Sequence, residues 1–142
     1  MTEILPLVSS GGWLLATVIA FGAMIFFHEL GHFLVAKRAG VTVHAFALGF
    51  GPRLLAVQRG ETTYALNLIP FGGYVKMAGE DFDDTAPEEG SFRHQPVKRR
   101  MAIVAAGPVM NLVLAAVILS VVAVAYGVPV GITNRVGSLV TT

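Results

Sequence analysis

The chain has 142 residues, of which 54% are hydrophobic and only 13% are charged. Soluble globular domains are about 25% charged, so this composition favours a membrane protein. The net charge of +1 gives no reason to expect nucleic acid as a partner. The sequence has no cysteine, which excludes disulfides and thiolate ligands within it. A transition metal bound by this chain would therefore be held by His, Asp or Glu.

Charge is distributed unevenly along the chain. There is no Lys or Arg before Lys37, and no charged residue from Met101 to Asn134. Two apolar stretches thus flank a mixed segment, and each is long enough as a helix to cross a hydrocarbon core of about 30 Å. A cleaved signal peptide is the alternative for the first stretch, but its start, MTEILP, lacks the basic residues of such a peptide. A buried helix of a soluble protein is the alternative for the second, although little else in the chain could bury it.

Basic residues beside both stretches predict the orientation. Lys37 and Arg38 follow the first stretch, and Lys98, Arg99 and Arg100 precede the second. The positive-inside rule places the segment between them in the cytoplasm. We therefore expect a multi-span α-helical membrane protein with a membrane-associated β-region in its cytoplasmic loop. The predicted parts are an extracytoplasmic N-terminus (1–12), a first transmembrane helix (13–38), the cytoplasmic loop (39–100), a second transmembrane helix (101–128) and an extracytoplasmic tail (129–142).

The cytoplasmic loop contains segments that favour strands. VTVHAFALGFG and LLAVQRGETTYALNLIP are rich in residues that suit strands, and Arg59-Gly60-Glu61 is typical of a hairpin tip. Phe71–Val75 predicts a further turn and strand. We expect these apolar strands to pack on the membrane-facing side of the helices. The segment Glu80–Gly90 predicts a solvated loop, because it is acidic and contains Pro and Gly, and it lacks the spacing of a calcium-binding loop.

The first apolar stretch contains the pattern HExxH, read as His28-Glu29-Leu30-Gly31-His32. Four residues of helix turn through about 400°, so His28 and His32 share one face, about 6 Å apart along the axis. Two imidazoles so placed can bind one Zn²⁺, while Glu29 lies beside the metal and can take a proton from water. The pattern therefore predicts zinc-dependent hydrolysis. A bis-histidine site for haem or ion conduction is the alternative, and it leaves Glu29 without a role.

The position of the motif in the helix fits this chemistry. Ionisable residues inside a membrane helix are costly and need a compensating role. His32 precedes Lys37 by five residues, so the motif lies near the cytoplasmic face, where water can reach it. The other two histidines, His44 and His94, are expected to be ordinary loop residues.

Four motifs occur in a fixed order along the chain. They are HELGH in the first helix, then GFGP, then IPFGGYVKMAGE, and finally AAGPVMN in the second apolar stretch. From Trp13 onward the chain therefore resembles the site-2 protease family of intramembrane metalloproteases, and in particular its regulator-of-sigma-E-type branch. The resemblance implies a zinc cofactor and a multi-pass location in the bacterial cytoplasmic membrane. It also implies cleavage of membrane-embedded substrates, such as single-span anti-sigma factors or remnant signal peptides.

The resemblance implies roles for further residues. His28 and His32 would be zinc ligands and Glu29 the catalytic base. Asn111 resembles a family asparagine that faces the active site, and a hydrogen bond between helices is its alternative. Residues of GFGP and FGGY would belong to a membrane-associated β-region that guides the substrate, where an edge strand can pair with an extended chain. These residues are Gly49, Phe50, Gly51, Phe71, Gly72, Gly73 and Tyr74.

Two features of the family pattern are not found in this sequence. The family takes its third zinc ligand from an Asp-Gly motif in a later helix, and this sequence contains no Asp-Gly. PDZ domains follow the second span in the family, and GITNRVGSLVTT resembles the opening strand of one. We therefore expect an N-terminal fragment that is incomplete for catalysis. Two other functions stay open: a non-proteolytic membrane module that binds metal or haem through His28 and His32, and a catalytically inactive membrane scaffold.

Overall fold

The computed structural model of the chain describes residues 12–81 and 89–127. These residues form helix α1 (Gly12–Arg38), strand β1 (Val43–Arg59), strand β2 (Thr62–Met77) and helix α2 (Val97–Tyr126). The predicted PDZ-like segment 129–142, nearly all of the N-terminal segment 1–12 and most of the acidic loop lie outside the described residues.

Both helices are long and apolar enough to cross a membrane. α1 has 27 residues and α2 has 30, and the mean hydropathy of their most apolar windows is 1.8 and 2.5. Only 6% of that window in α1, and none of it in α2, is buried inside the protein. This exposure does not fit the core helix of a soluble protein, so the two predicted spans stand as candidate membrane helices.

α2 begins at Val97, earlier than the predicted start at Met101. Pro96 precedes it with φ −50° and ψ 144°, an extended conformation that proline adopts readily. Proline has no N–H that a helix start would leave unpaired. The basic cluster Lys98–Arg100 therefore forms the first turn of α2 and does not belong to a preceding loop.

β1 and β2 pair antiparallel in a two-stranded sheet, and the turn at Gly60–Glu61 is the predicted hairpin tip. Each strand is longer than its predicted segments because it continues through a glycine-containing bend. In β1 the bend uses Gly49 and Gly51, with φ of 78° and 85°, and in β2 it uses Gly72, with φ of 88°. Backbone with positive φ favours glycine, which explains why these bends carry it.

The bends fold the sheet back on itself. Residues Ala45–Leu48 of β1 pair with Gly73–Lys76 on one side and with Thr63–Leu66 on the other. Within the described pairings, Gly73–Met77 have a strand partner on one side only. This end of β2 is therefore a margin of the folded sheet.

A small core holds the sheet against the C-terminal half of α1. The rings of Phe33 and Tyr64 lie 5.3 Å and 6.1 Å from the ring of Phe46. The buried Thr62 side chain donates a hydrogen bond to the carbonyl of Val43 at 2.7 Å. The buried hydrophobic residues of this core are Ala36, Val41, Val43, Phe46, Val75, Met77 and Ile103. This packing fixes the last residues of β2 beside the HExxH turn.

The two helices pack antiparallel. Gly31 of α1 lies against Ala106 of α2, whereas His28, one turn earlier in α1, lies against Asn111, later in α2. A Cβ added to Gly31 would lie 2.8 Å from the carbonyl carbon of Ala106, so glycine allows this close approach. The end of α1 and the start of α2, with their basic clusters, therefore lie at the same end of the helix pair.

Candidate active site

His28 and His32 lie one turn apart on the face of α1 that contacts α2. Their ring centroids are 4.8 Å apart, and the ring planes meet at 75°. Both side chains are half-buried. The structure thus brings together the two histidines that the HExxH spacing places on one face.

The orientation of His32 is set by a backbone carbonyl of α2. Its Nδ1 lies 2.7 Å from the carbonyl oxygen of Ile103, a residue with no exposed surface. A carbonyl only accepts hydrogen bonds, so Nδ1 carries the hydrogen, and in the neutral ring Nε2 keeps its lone pair. Metal-binding histidines are commonly held in this way by a partner on the second nitrogen.

His28 is held by a side chain of α2. Its Nδ1 lies 3.1 Å from the Nδ2 atom of Asn111. The sequence left two alternatives for Asn111, a residue that faces the active site and a residue that makes a hydrogen bond between the helices. This contact has both properties, because it joins α2 to a histidine of the HExxH motif.

Gly107 of α2 leaves a space in front of both histidines. A Cβ added to it would lie 2.6 Å from Nε2 of His28 and closer still to Nε2 of His32. Zinc binds imidazole nitrogen at about 2.0–2.1 Å, so an ion fits where a side chain at this position would stand. Two neutral imidazoles are suitable zinc ligands, but a catalytic zinc site usually has three protein ligands, so these two leave the coordination incomplete. Among residues 12–81 and 89–127, no group of three or more His, Cys, Asp or Glu could hold a metal.

The role of Gly107 was not predicted from the sequence, where the residue is only part of the motif AAGPVMN. The available signal was its spacing. Ile103, Gly107 and Asn111 follow one another at intervals of four residues, so they share one face of α2. All three contact the histidines of α1.

Glu29 points away from α2, towards the sheet. A Cβ added to Gly73 of β2 would lie 3.1 Å from Cγ of Glu29 and 2.9 Å from the carbonyl oxygen of Ala47. Only glycine lets the strand approach the motif this closely. β2 therefore runs directly beside the proposed catalytic carboxylate.

A cavity of about 390 Å³ leads to Glu29 and His32. Glu80, in the loop after β2, lies on its wall and adds a second carboxylate. The remaining lining residues come from β2, from the loop before α2 and from α2 itself, and they are Gly73, Tyr74, Val75, Met77, Phe92, Ile103 and Val104. The cavity offers water or an extended chain a path to the motif.

The predicted substrate-guiding residues fall into two groups. Gly73 and Tyr74 line the cavity. The others, Gly49, Phe50, Gly51, Phe71 and Gly72, lie in the bends of the sheet. The ring of Phe50 stacks on that of Tyr74, with centroids 6.5 Å apart, and so joins the two groups.

Phe71, in the bend of β2, lies beside the N-terminal half of α1. Its ring centroid lies 6.4 Å from that of Phe21. Phe21 precedes Glu29 by eight residues, which is about 12 Å along a helix axis. Phe71 is still 53% exposed there, as is expected of a residue that faces lipid.

The two remaining histidines lie apart from the site. His44 is exposed on β1, and His94 is exposed in the turn before α2. Neither lines the cavity at Glu29.

Residues 16–141 match Peptidase family M50. The chain belongs to this family. Regulator of sigma-E protease RseP of Salmonella typhimurium is 48% identical over 105 residues, which are 72% of this chain and 23% of the relative. Regulator of sigma-W protease RasP of Bacillus subtilis is 52% identical over 67 residues, 47% of this chain and 16% of the relative. The resemblance to the site-2 proteases is thereby confirmed.

A third M50 relative, zinc metalloprotease RasP of Geobacillus kaustophilus, is 52% identical over 68 residues, 48% of this chain and 16% of the relative. Eight curated relatives are matched over 16% to 37% of their own length. These matches therefore leave most of the length of the relatives without a counterpart in this chain.

Proposed function

We propose that the protein containing this chain is an intramembrane zinc metalloprotease of the site-2 type. One observation carries the proposal: the Nε2 atoms of His28 and His32 converge on the gap left by Gly107, while Glu29 faces the adjoining cavity. Membership of the M50 family supports it. So do the relatives' names, which describe a zinc metalloprotease and regulators of sigma-E and sigma-W.

His28 and His32 would hold zinc through their Nε2 atoms. The resemblance implies a third ligand from an Asp-Gly motif, which the 142 residues do not contain, so we propose that it comes from elsewhere in the protein. Bound zinc would supply Lewis acidity that polarises the scissile carbonyl and makes water more acidic.

Glu29 would move the proton. Its carboxylate takes a proton from the water molecule that attacks the carbonyl carbon, so that a C–O bond forms. The same proton then passes to the peptide nitrogen as the C–N bond breaks. The cavity beside Glu29 admits the water, and the close approach of Gly73 limits where the carboxylate can stand.

The margin of the sheet would bind the substrate. Gly73–Lys76 lie beside the cavity and pair with β1 on one side only, whereas the N–H of Met77 is already donated to Oε2 of Glu80 at 3.3 Å. A helical substrate hides its peptide bonds, so it must unwind before cleavage. An unwound segment can add to this margin as a further strand next to Glu29. The proposed substrates are membrane-embedded proteins, such as single-span anti-sigma factors or remnant signal peptides.

The proposed location is the bacterial cytoplasmic membrane, which the whole protein crosses several times. The antiparallel helices bring both basic clusters to one end, and the positive-inside rule assigns that end to the cytoplasm. The loop 39–100 would then be cytoplasmic, and the N-terminus and the tail 129–142, with its PDZ-like start, would be extracytoplasmic. The bend of the sheet that carries Phe71 would enter the bilayer beside α1.

The site argues against a haem-binding module. The gap between His28, His32 and Gly107 is too small for a methyl group, so it suits a directly bound ion but not a porphyrin. A porphyrin would require the helices to separate, although Gly31 and Ala106 hold them in close contact.

The test uses the full-length gene product purified in detergent. We expect about one zinc ion per chain and cleavage of a model transmembrane substrate. The Glu29→Gln variant should keep the zinc and lose the cleavage, which would also exclude an inactive scaffold. Cleavage that survives this substitution, or haem in place of zinc, would overturn the proposal.

A further inference from the structure

The amide of Asn111 has one hydrogen-bonded and one unpartnered end. Its Nδ2 atom lies 3.1 Å from Nδ1 of His28. Its Oδ1 atom is buried and has no hydrogen-bond partner among residues 12–81 and 89–127. Because an amide oxygen and nitrogen have nearly the same size, the same side chain can also stand with its two ends exchanged.

The two orientations have opposite consequences for His28. When the amide nitrogen faces the ring, Nδ1 must accept a hydrogen bond, so the hydrogen of the neutral ring is on Nε2. Nε2 then has no lone pair for a metal. When the amide oxygen faces the ring, it accepts the N–H of Nδ1, and Nε2 is free to bind. The present orientation is not held at the other end of the amide, because the Oδ1 atom receives no hydrogen bond from the described residues.

We propose that Asn111 is a positioning residue for the metal, whose side-chain oxygen accepts the N–H of His28 Nδ1 when zinc is bound. This inference rests on the proposed function. The carbonyl of Ile103 does the same for His32 at 2.7 Å. One face of α2 then provides an acceptor at 103, the gap at 107 and an acceptor at 111. The HExxH helix supplies the ligands, and α2 supplies the two acceptors that hold them.

Two other roles for Asn111 make different predictions. A residue that only joins the helices would affect folding before it affected zinc affinity. A residue that contacts the substrate directly would affect cleavage at unchanged zinc affinity. The affinity for zinc therefore separates the proposal from both.

The experiment measures zinc affinity by competition with a chelator, in the full-length protein in detergent. Asn111→Leu has a similar volume and no acceptor, and we expect its affinity to fall about 10- to 100-fold. Asn111→Asp keeps the acceptor and removes the donor, so its affinity should equal or exceed that of the wild type. Asn111→Ala also lacks an acceptor and cannot clash, and it repeats the test if the leucine variant fails to fold.

Asn67→Leu is the matched control. Asn67, like Asn111, has a buried Oδ1 atom and makes one side-chain hydrogen bond, in this case to the carbonyl of Gly49 at 2.8 Å, but it lies in the sheet. Its loss should leave the zinc affinity unchanged. Helix content and the melting temperature of the metal-free proteins show whether each variant is folded.

Three results would contradict the proposal. If a folded Asn111→Leu or Asn111→Ala binds zinc as the wild type does, Asn111 does not position a ligand. If Asn111→Asp loses as much affinity as Asn111→Leu, the acceptor is not what matters. A wild type that binds no zinc would overturn the proposed function as well, whereas a wild type that binds zinc and cleaves its substrate leaves that function standing in the first two cases.

Discussion

The Nδ1 atom of His32 lies 2.7 Å from the carbonyl oxygen of Ile103, which is 71 residues further along the chain. The first helix carries the recognisable motif, but the second helix determines which nitrogen of its histidine is available. The close packing of Gly31 on Ala106 holds the two helices together. The distance between the His32 ring and the Ile103 carbonyl therefore depends on the helix pair as a unit.

The gap at Gly107 predicts that even one methyl group will block the metal. A Cβ there would lie 2.6 Å from His28 Nε2, so Gly107→Ala forces the rings apart or fills the position of the ion. We expect a loss of zinc affinity of about 100-fold or more, because the ligands themselves are displaced and not only their partners. Chelator competition on the full-length protein measures it.

Gly22→Ala provides the matched control for this prediction. Gly22 is also helical, and a Cβ added to it has no atom within 4 Å. Alanine favours helix over glycine by about 1 kcal/mol at both positions, so helix propensity cancels in the comparison. If Gly107→Ala bound zinc as tightly as Gly22→Ala, the ion would have to lie elsewhere.

Substitutions of the histidines should differ in their effect on zinc binding. His28→Ala and His32→Ala should each abolish stoichiometric zinc binding, because each removes one of two converging ligands. His44→Ala should leave zinc binding and cleavage unchanged, because His44 is exposed on β1 and outside the cavity. Metal content after dialysis, together with cleavage of the model substrate, checks both. A loss of zinc from His44→Ala would contradict the proposed site.

The sequence predicted the parts of this site that depend on local periodicity. HExxH, the two apolar stretches and the hairpin tip at Gly60 all follow from spacing within one element. The start of α2 at Val97 was predicted too late, because the basic residues after Pro96 were assigned to a loop. Helix geometry tolerates such residues in the first turn, which hydropathy alone does not indicate.

The parts that depend on contacts between elements could not be predicted. The spacing of four between Ile103 and Gly107 marks a shared face of α2, but only the antiparallel packing of α2 on α1 makes them neighbours of the histidines. The folded-back sheet is a similar case. Its bends follow from glycines with positive φ, but the resulting contact of Gly73 with Glu29 requires the three-dimensional arrangement.

That contact gives the third prediction. Gly73→Ala would place a methyl group 3.1 Å from Cγ of Glu29 and 2.9 Å from the carbonyl of Ala47, so the strand or the carboxylate must shift. Small displacements of a catalytic group reduce turnover strongly, and we expect kcat to fall about 10- to 100-fold. The zinc affinity should stay within a few-fold of the wild type, because both ligands face the other helix. A loss of zinc equal to that of Gly107→Ala would show that the strand supports the metal site and not the base.

The last prediction concerns the depth of the sheet in the bilayer. Phe71 lies beside Phe21, about 12 Å along α1 from Glu29 and away from the end that carries Lys37, whereas Arg59 lies at the hairpin tip. Both side chains are exposed on the protein surface, so burial within the protein protects neither. A difference in their accessibility to a polar reagent would therefore come from a surrounding membrane.

Single cysteines make this distinction measurable, since the chain has no cysteine of its own. In a cysteine-free full-length background, a polar, membrane-impermeant maleimide should label Arg59→Cys at least about 10-fold faster than Phe71→Cys, because apolar surroundings disfavour the reactive thiolate. Labelling of Arg59→Cys should occur in inverted vesicles and not in intact cells, since the proposed orientation places its loop in the cytoplasm. Solubilisation in denaturant should make the two rates equal and so serves as the control. Equal rates in intact membranes would place the bend in water, and labelling of Arg59→Cys from outside the cell would reverse the orientation.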